Sequence, residues 1–95
     1  MTQEEFKTLE IGSVVYNAEN NNVGVTNSGF AEDKVLKDTD SISTKSYDNT
    51  SEYEILVSDC DKWKLMDDNA PDTIKLHIAV IRLARLEHFI HSRFR

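Results

Sequence analysis

Residues 71–95 read PDTIKLHIAVIRLARLEHFIHSRFR, and from Thr73 onward they contain neither Gly nor Pro. That stretch predicts one long helix. Pro71 suits a first helical turn, and an Asn or Asp of Asp67-Asp68-Asn69-Ala70-Pro71-Asp72 can cap it. Acids at the start and Arg93 and Arg95 at the end suit the two poles of the helix dipole. At 100° per residue, Leu76, Val80, Leu83, Leu86, Ile90 and Phe94 share one broad face with Ala79. This face is expected to cover a sheet. A second stripe gathers Ile74, Ile78, Ile81 and Phe89, with Arg85 in its middle and Arg82 on its edge.

A helix with two apolar faces needs two surfaces to pack against. The short N-terminal helix is one possible cover for the second stripe. The matching helix of another subunit is the other, and Ile74, Ile78, Ile81 and Phe89 are the expected oligomer interface. Arg85 is costly in an apolar stripe unless something pairs with it. Either an acid of this protein or its partner neutralises it, or Arg82 and Arg85 form an anion site, since guanidinium forks suit phosphate and carboxylate.

Upstream, the pattern is that of short strands. Thr2 and Glu5 have capping-box spacing, so residues 1–10 are expected to hold a short helix. Residues 11–66 are expected to form the sheet. Val14-Val15-Tyr16 and Val23-Gly24-Val25-Thr26 flank Asn20-Asn21-Asn22, which predicts a hairpin. Val35-Leu36 and Ser41–Lys45 are candidate strands, and Tyr53–Val57 is the strongest. Asp59–Asp61 is expected to turn the chain so that Trp63–Met66 runs back. The expected architecture is a single α+β domain, with a small antiparallel β-sheet or partly open barrel, a short N-terminal helix and a C-terminal helix over residues 70–95.

Charge is unevenly distributed. Residues 1–73 carry 6 Lys and Arg against 16 Asp and Glu, a net of −10, whereas residues 74–95 carry 5 against 1, a net of +4. The acidic part argues against direct nucleic-acid binding. The N-terminal residues do not resemble a secretory signal, no apolar run has membrane-spanning length, and Cys60 is the only cysteine; a cytoplasmic protein is expected.

No catalytic motif is present, so neither an enzyme nor a cofactor is expected. His77, His88 and His91 cluster without a fourth ligand, and no metal site is expected. Asn27 and Phe30, with Lys45 and Tyr47, place an amide, a cation and two aromatics in predicted turns, where binding groups usually sit. With Arg82 and Arg85 they are the candidate ligand-binding residues: arginines for phosphates, Phe30 or Tyr47 to stack a base.

The layout of Val23-Gly24-Val25-Thr26-Asn27, the Ser43–Thr50 stretch and a long helix bearing Arg82 and Arg85 resembles small bacteriophage proteins, among them the phage anti-Thoeris sponge family. The resemblance covers the chain in outline. It implies a homo-oligomer, in the cytoplasm of a bacterial host, that sequesters a nucleotide-derived immune signal. The alternative is an acidic protein–protein inhibitor that imitates nucleic acid, as anti-CRISPR proteins do, motivated by the acids of residues 32–72. A third reading is an accessory module of a larger assembly.

Overall fold

The computed structural model describes residues 1–93, with side chains through His88. Helix α1 (Gln3–Lys7) is followed by β1 (Val14–Asn17), β2 (Asn22–Thr26), β3 (Ser41–Ser46) and β4 (Glu52–Leu56). A 3₁₀ segment (Val57–Lys62) leads to β5 (Trp63–Leu65), and α2 (Asp72–Arg93) ends the chain. The five strands form one antiparallel sheet in the order β4-β3-β2-β1-β5. The fold is α+β.

Several local expectations are met for the reasons given. Thr2 and Glu5 close a reciprocal capping box on α1. The β1–β2 hairpin turns through Asn21, whose φ of 59° is a left-handed conformation that asparagine tolerates. Two local expectations fail. Val35 is exposed and lies in no strand, within a connection that Phe30 and Leu36 anchor to the nearby core. Trp63–Leu65 does not run back along β4. It pairs with β1, in the register Val15↔Leu65 and Asn17↔Trp63, at the other edge of the sheet.

That crossing requires a curled sheet. Four strand spacings of about 4.8 Å put the edges of a flat five-stranded sheet roughly 19 Å apart. Six residues of 3₁₀ helix advance only about 12 Å. Yet Val57–Lys62 connects β4 directly to β5, and the rings of Tyr53 (β4) and Trp63 (β5) stack with centroids 5.8 Å apart. Gly24, on the central strand β2, makes the crossing possible. A Cβ there would stand 2.3 Å from the Tyr53 hydroxyl oxygen and 2.6 Å from Thr44 Cγ2. The sheet is open and curled into a trough, its edge strands β4 and β5 not paired with each other.

Strand alternation gives each face its own core. The concave face holds Val15, Ile42, Ile55 and Trp63, sealed by Phe6 of α1 and by Val57 and Cys60. The other face offers Tyr16 and Val23, covered by Ala70, Ile74 and Ile78 of the α2 segment and by Tyr47.

The face of α2 that packs is the reverse of the one expected. Ile74 and Ile78 are buried against the sheet and Ile81 is partly buried, so none of the three is free to meet another subunit. Leu76, Val80, Leu83 and Leu86 are the exposed ones. The anchor decides this. Ala70 is already buried when the chain enters α2, and Ile74, Ile78 and Ile81 follow it on the same helical face. The arginines agree with that face, because it brings them to Tyr47. Phe89, the fourth expected interface residue, lies outside the residues with described side chains, as do Ile90, His91 and Phe94.

Among the described residues, no helix is long and apolar enough to cross a membrane.

Candidate functional site

Tyr47 sits just past β3, nearly buried at 8 % exposure, with its ring in the core under α2. Two arginines close on it from the helix. Arg82 Nε donates to the Tyr47 hydroxyl at 2.9 Å. Arg85 Nη2 donates to the Tyr47 carbonyl oxygen, and the Arg85 guanidinium carbon lies 5.1 Å from the ring centroid, over its face. Hydrogen bonds and a cation–π contact therefore hold both cations. Among the described residues neither arginine has a carboxylate partner. Among the described residues of this chain, the acid expected as one possible partner of Arg85 is not found.

Beside Arg85 is a recess of about 250 Å³. Lys45, Asn27, Asn49 and Arg85 line it, with Val25 and Tyr47 at its base. Lys45 stands on the same sheet face as Val25, its register partner. Its ammonium is 3.8 Å from Glu52, and both side chains are largely in solvent, so that pair is weak. The recess thus combines two cations from different elements with two amide side chains.

The neighbouring turn is rigid for its own reasons. The Asp48 carboxylate accepts from the Ser46 hydroxyl at 2.7 Å and from the Thr50 hydroxyl at 2.6 Å, and from the Thr50 amide at 3.1 Å. These bonds, the Thr50 hydroxyl's first, hold its pKa down at about 2. Asn49 adopts a φ of 65° within the turn. The hydroxyl-rich composition of residues 46–50 is therefore turn chemistry, and it presents Asn49 to the recess.

Of the six ligand-binding residues expected from sequence, Asn27, Lys45, Tyr47 and Arg85 meet at this recess. Arg82 lies on the other side of Tyr47, in the wall of an apolar groove. Phe30 is elsewhere. It packs on Phe6 over the concave face, with ring centroids 5.9 Å apart, and cannot stack a ligand here. Tyr47 cannot stack a base either, since its ring is buried and Arg85 covers it. Its role is a pedestal. Asn49 belongs to the Ser43–Thr50 stretch that the sequence sets apart but is not among the six expected ligand residues; it lines the recess as well.

No group of three or more potential metal ligands comes together among the described residues. No protein-family model matches the chain, and comparisons with curated proteins and with solved structures give no match.

Proposed function

We propose that this is a non-enzymatic binding protein that captures a small anion of the nucleotide type in the recess between Lys45 and Arg85. The observation that carries the reading is the state of Arg85. It is oriented by a carbonyl oxygen and an aromatic ring, carries no described carboxylate partner, and faces a recess that also holds Lys45. A guanidinium has five donors, so most remain available to phosphate. Asn27 and Asn49 add neutral hydrogen-bonding groups that suit a sugar or a phosphate ester. A recess of about 250 Å³ is small beside typical drug-sized sites of roughly 300–1,000 Å³. It suits a phosphate-bearing head, with the rest of the ligand in the open. Together with the outline resemblance to phage signal-sequestering proteins, this supports a role in counter-defence, the captured molecule being a nucleotide-derived signal.

Isothermal titration with ADP-ribose and with inorganic pyrophosphate tests the reading. The wild-type protein should bind at least one of them, more weakly as salt rises. The double variant Lys45→Ala, Arg85→Ala should bind at least tenfold more weakly while melting cooperatively. Equal binding by both proteins, or no binding by either, overturns it. In the second case, salt-dependent capture of a basic protein would move the function to the acidic body.

A further inference from the structure

Helix α2 leaves one apolar line uncovered. Leu76, Val80, Leu83 and Leu86 are 66, 56, 57 and 54 % exposed. With Ala79 they fall into a heptad: Leu76 and Leu83 at one core position, Ala79 and Leu86 at the other, Val80 beside them. Ile90 continues the pattern in the sequence. The line borders a groove of about 510 Å³, whose far wall is Val14 and Met66.

The helix is also longer than its support. Twenty-two residues rise about 33 Å, whereas the longest strand has six residues and the molecule extends 51 × 25 × 19 Å. Helices without tertiary packing are marginal in water. Among the described residues, the last side-chain hydrogen bond from α2 to the body is that of Arg85 to the Tyr47 carbonyl.

We infer that the uncovered line is the contact with a second copy of this chain, the two α2 helices running antiparallel. A second copy offers the same seam, so each line of leucines covers the other and enters the other's groove in one two-fold contact. Charge fixes the direction. The body carries −10 and the helix +4. With Leu76 across from Leu86 and Ala79 across from Leu83, the start of one helix, where Asp67, Asp68 and Asp72 stand, lies toward the end of the other, which finishes on Arg93. A parallel pair would bring acid to acid and base to base. The inference does not depend on ligand capture, because the seam and the Lys45–Arg85 recess lie on opposite sides of Tyr47.

Light scattering on the purified protein should give twice the chain mass. Leu83→Glu should give the single-chain mass and still melt cooperatively, since Leu83 lies in solvent in one chain, with any loss of helical circular dichroism confined to the far end of α2, and should leave any nucleotide affinity within about twofold. Orientation is read in a Cys60→Ala background. Leu76→Cys and Leu86→Cys should each fail to cross-link alone and should form a disulfide when mixed and re-associated. A single-chain mass for the wild-type protein overturns the pairing. Self-cross-linking of Leu76→Cys overturns the antiparallel direction. Neither result bears on anion binding, which is measured separately.

Discussion

The Arg82 guanidinium and the Tyr47 hydroxyl, 35 positions apart in the chain, meet at 2.9 Å and tie the long helix to the end of β3. Removing the hydroxyl alone, in Tyr47→Phe, should cost about 1 kcal/mol, the ordinary net value of such a bond at a partly exposed site. The carbonyl contact to Arg85 survives that change, so anion affinity should hold. Tyr47→Ala removes a buried ring, the hydroxyl that Arg82 meets and the aromatic face under Arg85, leaving only the carbonyl contact, and should cost about 3–5 kcal/mol. Denaturant unfolding measures both. Equal effects would mean the ring does not anchor the helix.

Ile74 and Leu83 occupy the two opposed faces of α2. Ile74 is 0 % exposed, so Ile74→Ala should destabilise by about 2–5 kcal/mol. Leu83→Glu, measured as a single chain, should stay within about 0.5 kcal/mol of a single-chain reference such as Leu86→Glu. The reverse ranking would restore the helix orientation expected from sequence.

Gly24 and Tyr53 are coupled through the 2.3 Å that a Cβ would leave to the Tyr53 oxygen. Gly24→Ala should cost about 1–3 kcal/mol by overpacking. The Tyr53 hydroxyl is buried without a hydrogen-bond partner among the described residues, and burial raises its pKa. Tyr53→Phe should therefore be neutral or stabilising. The double variant should lose less than the sum of the singles, because the phenyl ring gives the methyl room. Strict additivity would show that the ring does not cross the glycine.

Asp48 sets an acid limb. Its pKa falls from 3.8 to about 2 in the folded chain, through bonds from Thr50 and Ser46. A depressed carboxylate contributes stability that is complete above the unfolded value and is lost as pH falls through the folded one. Loss should therefore fall between about pH 4 and pH 2. Glu5, bonded by the Thr2 amide, and Asp40, bonded by the Lys37 amide, act in the same sense. Asp48→Asn should unfold more easily at neutral pH and show a shallower decline over that window. Parallel pH curves for the two proteins would contradict the role given to the turn.

What was legible in the sequence was local. The capping box, the asparagine hairpin, the strand at Tyr53 and the long helix all rest on contacts within a few residues. The candidate ligand residues were legible as a composition, and four of six converge because turn chemistry and strand register place them together. What failed was long-range. Nothing near Trp63 signals that its partner strand is β1, because the curl depends on Gly24 admitting Tyr53 across the sheet. The helix faces were equally apolar by pattern. Their assignment turned on Ala70, outside the periodic stretch, and on Tyr47, which converts two awkward arginines into anchors.

The β1–β5 pairing also sets a timetable. Val15 meets Leu65, so β1 leaves the ribosome with its hairpin partner β2 soon behind but its other edge open until fifty more residues are made. At roughly 5–20 residues per second that is about three to ten seconds. Through that interval a Val-Val-Tyr edge presents unpaired backbone groups, the template on which strands of other chains add. The three residues of β5 are short for a strand, but they arrive last among the strands and cap that edge. Of two chains that both lack α2, and so both expose Tyr16 and Val23, the one halted before Trp63 should aggregate faster than the one halted after Met66.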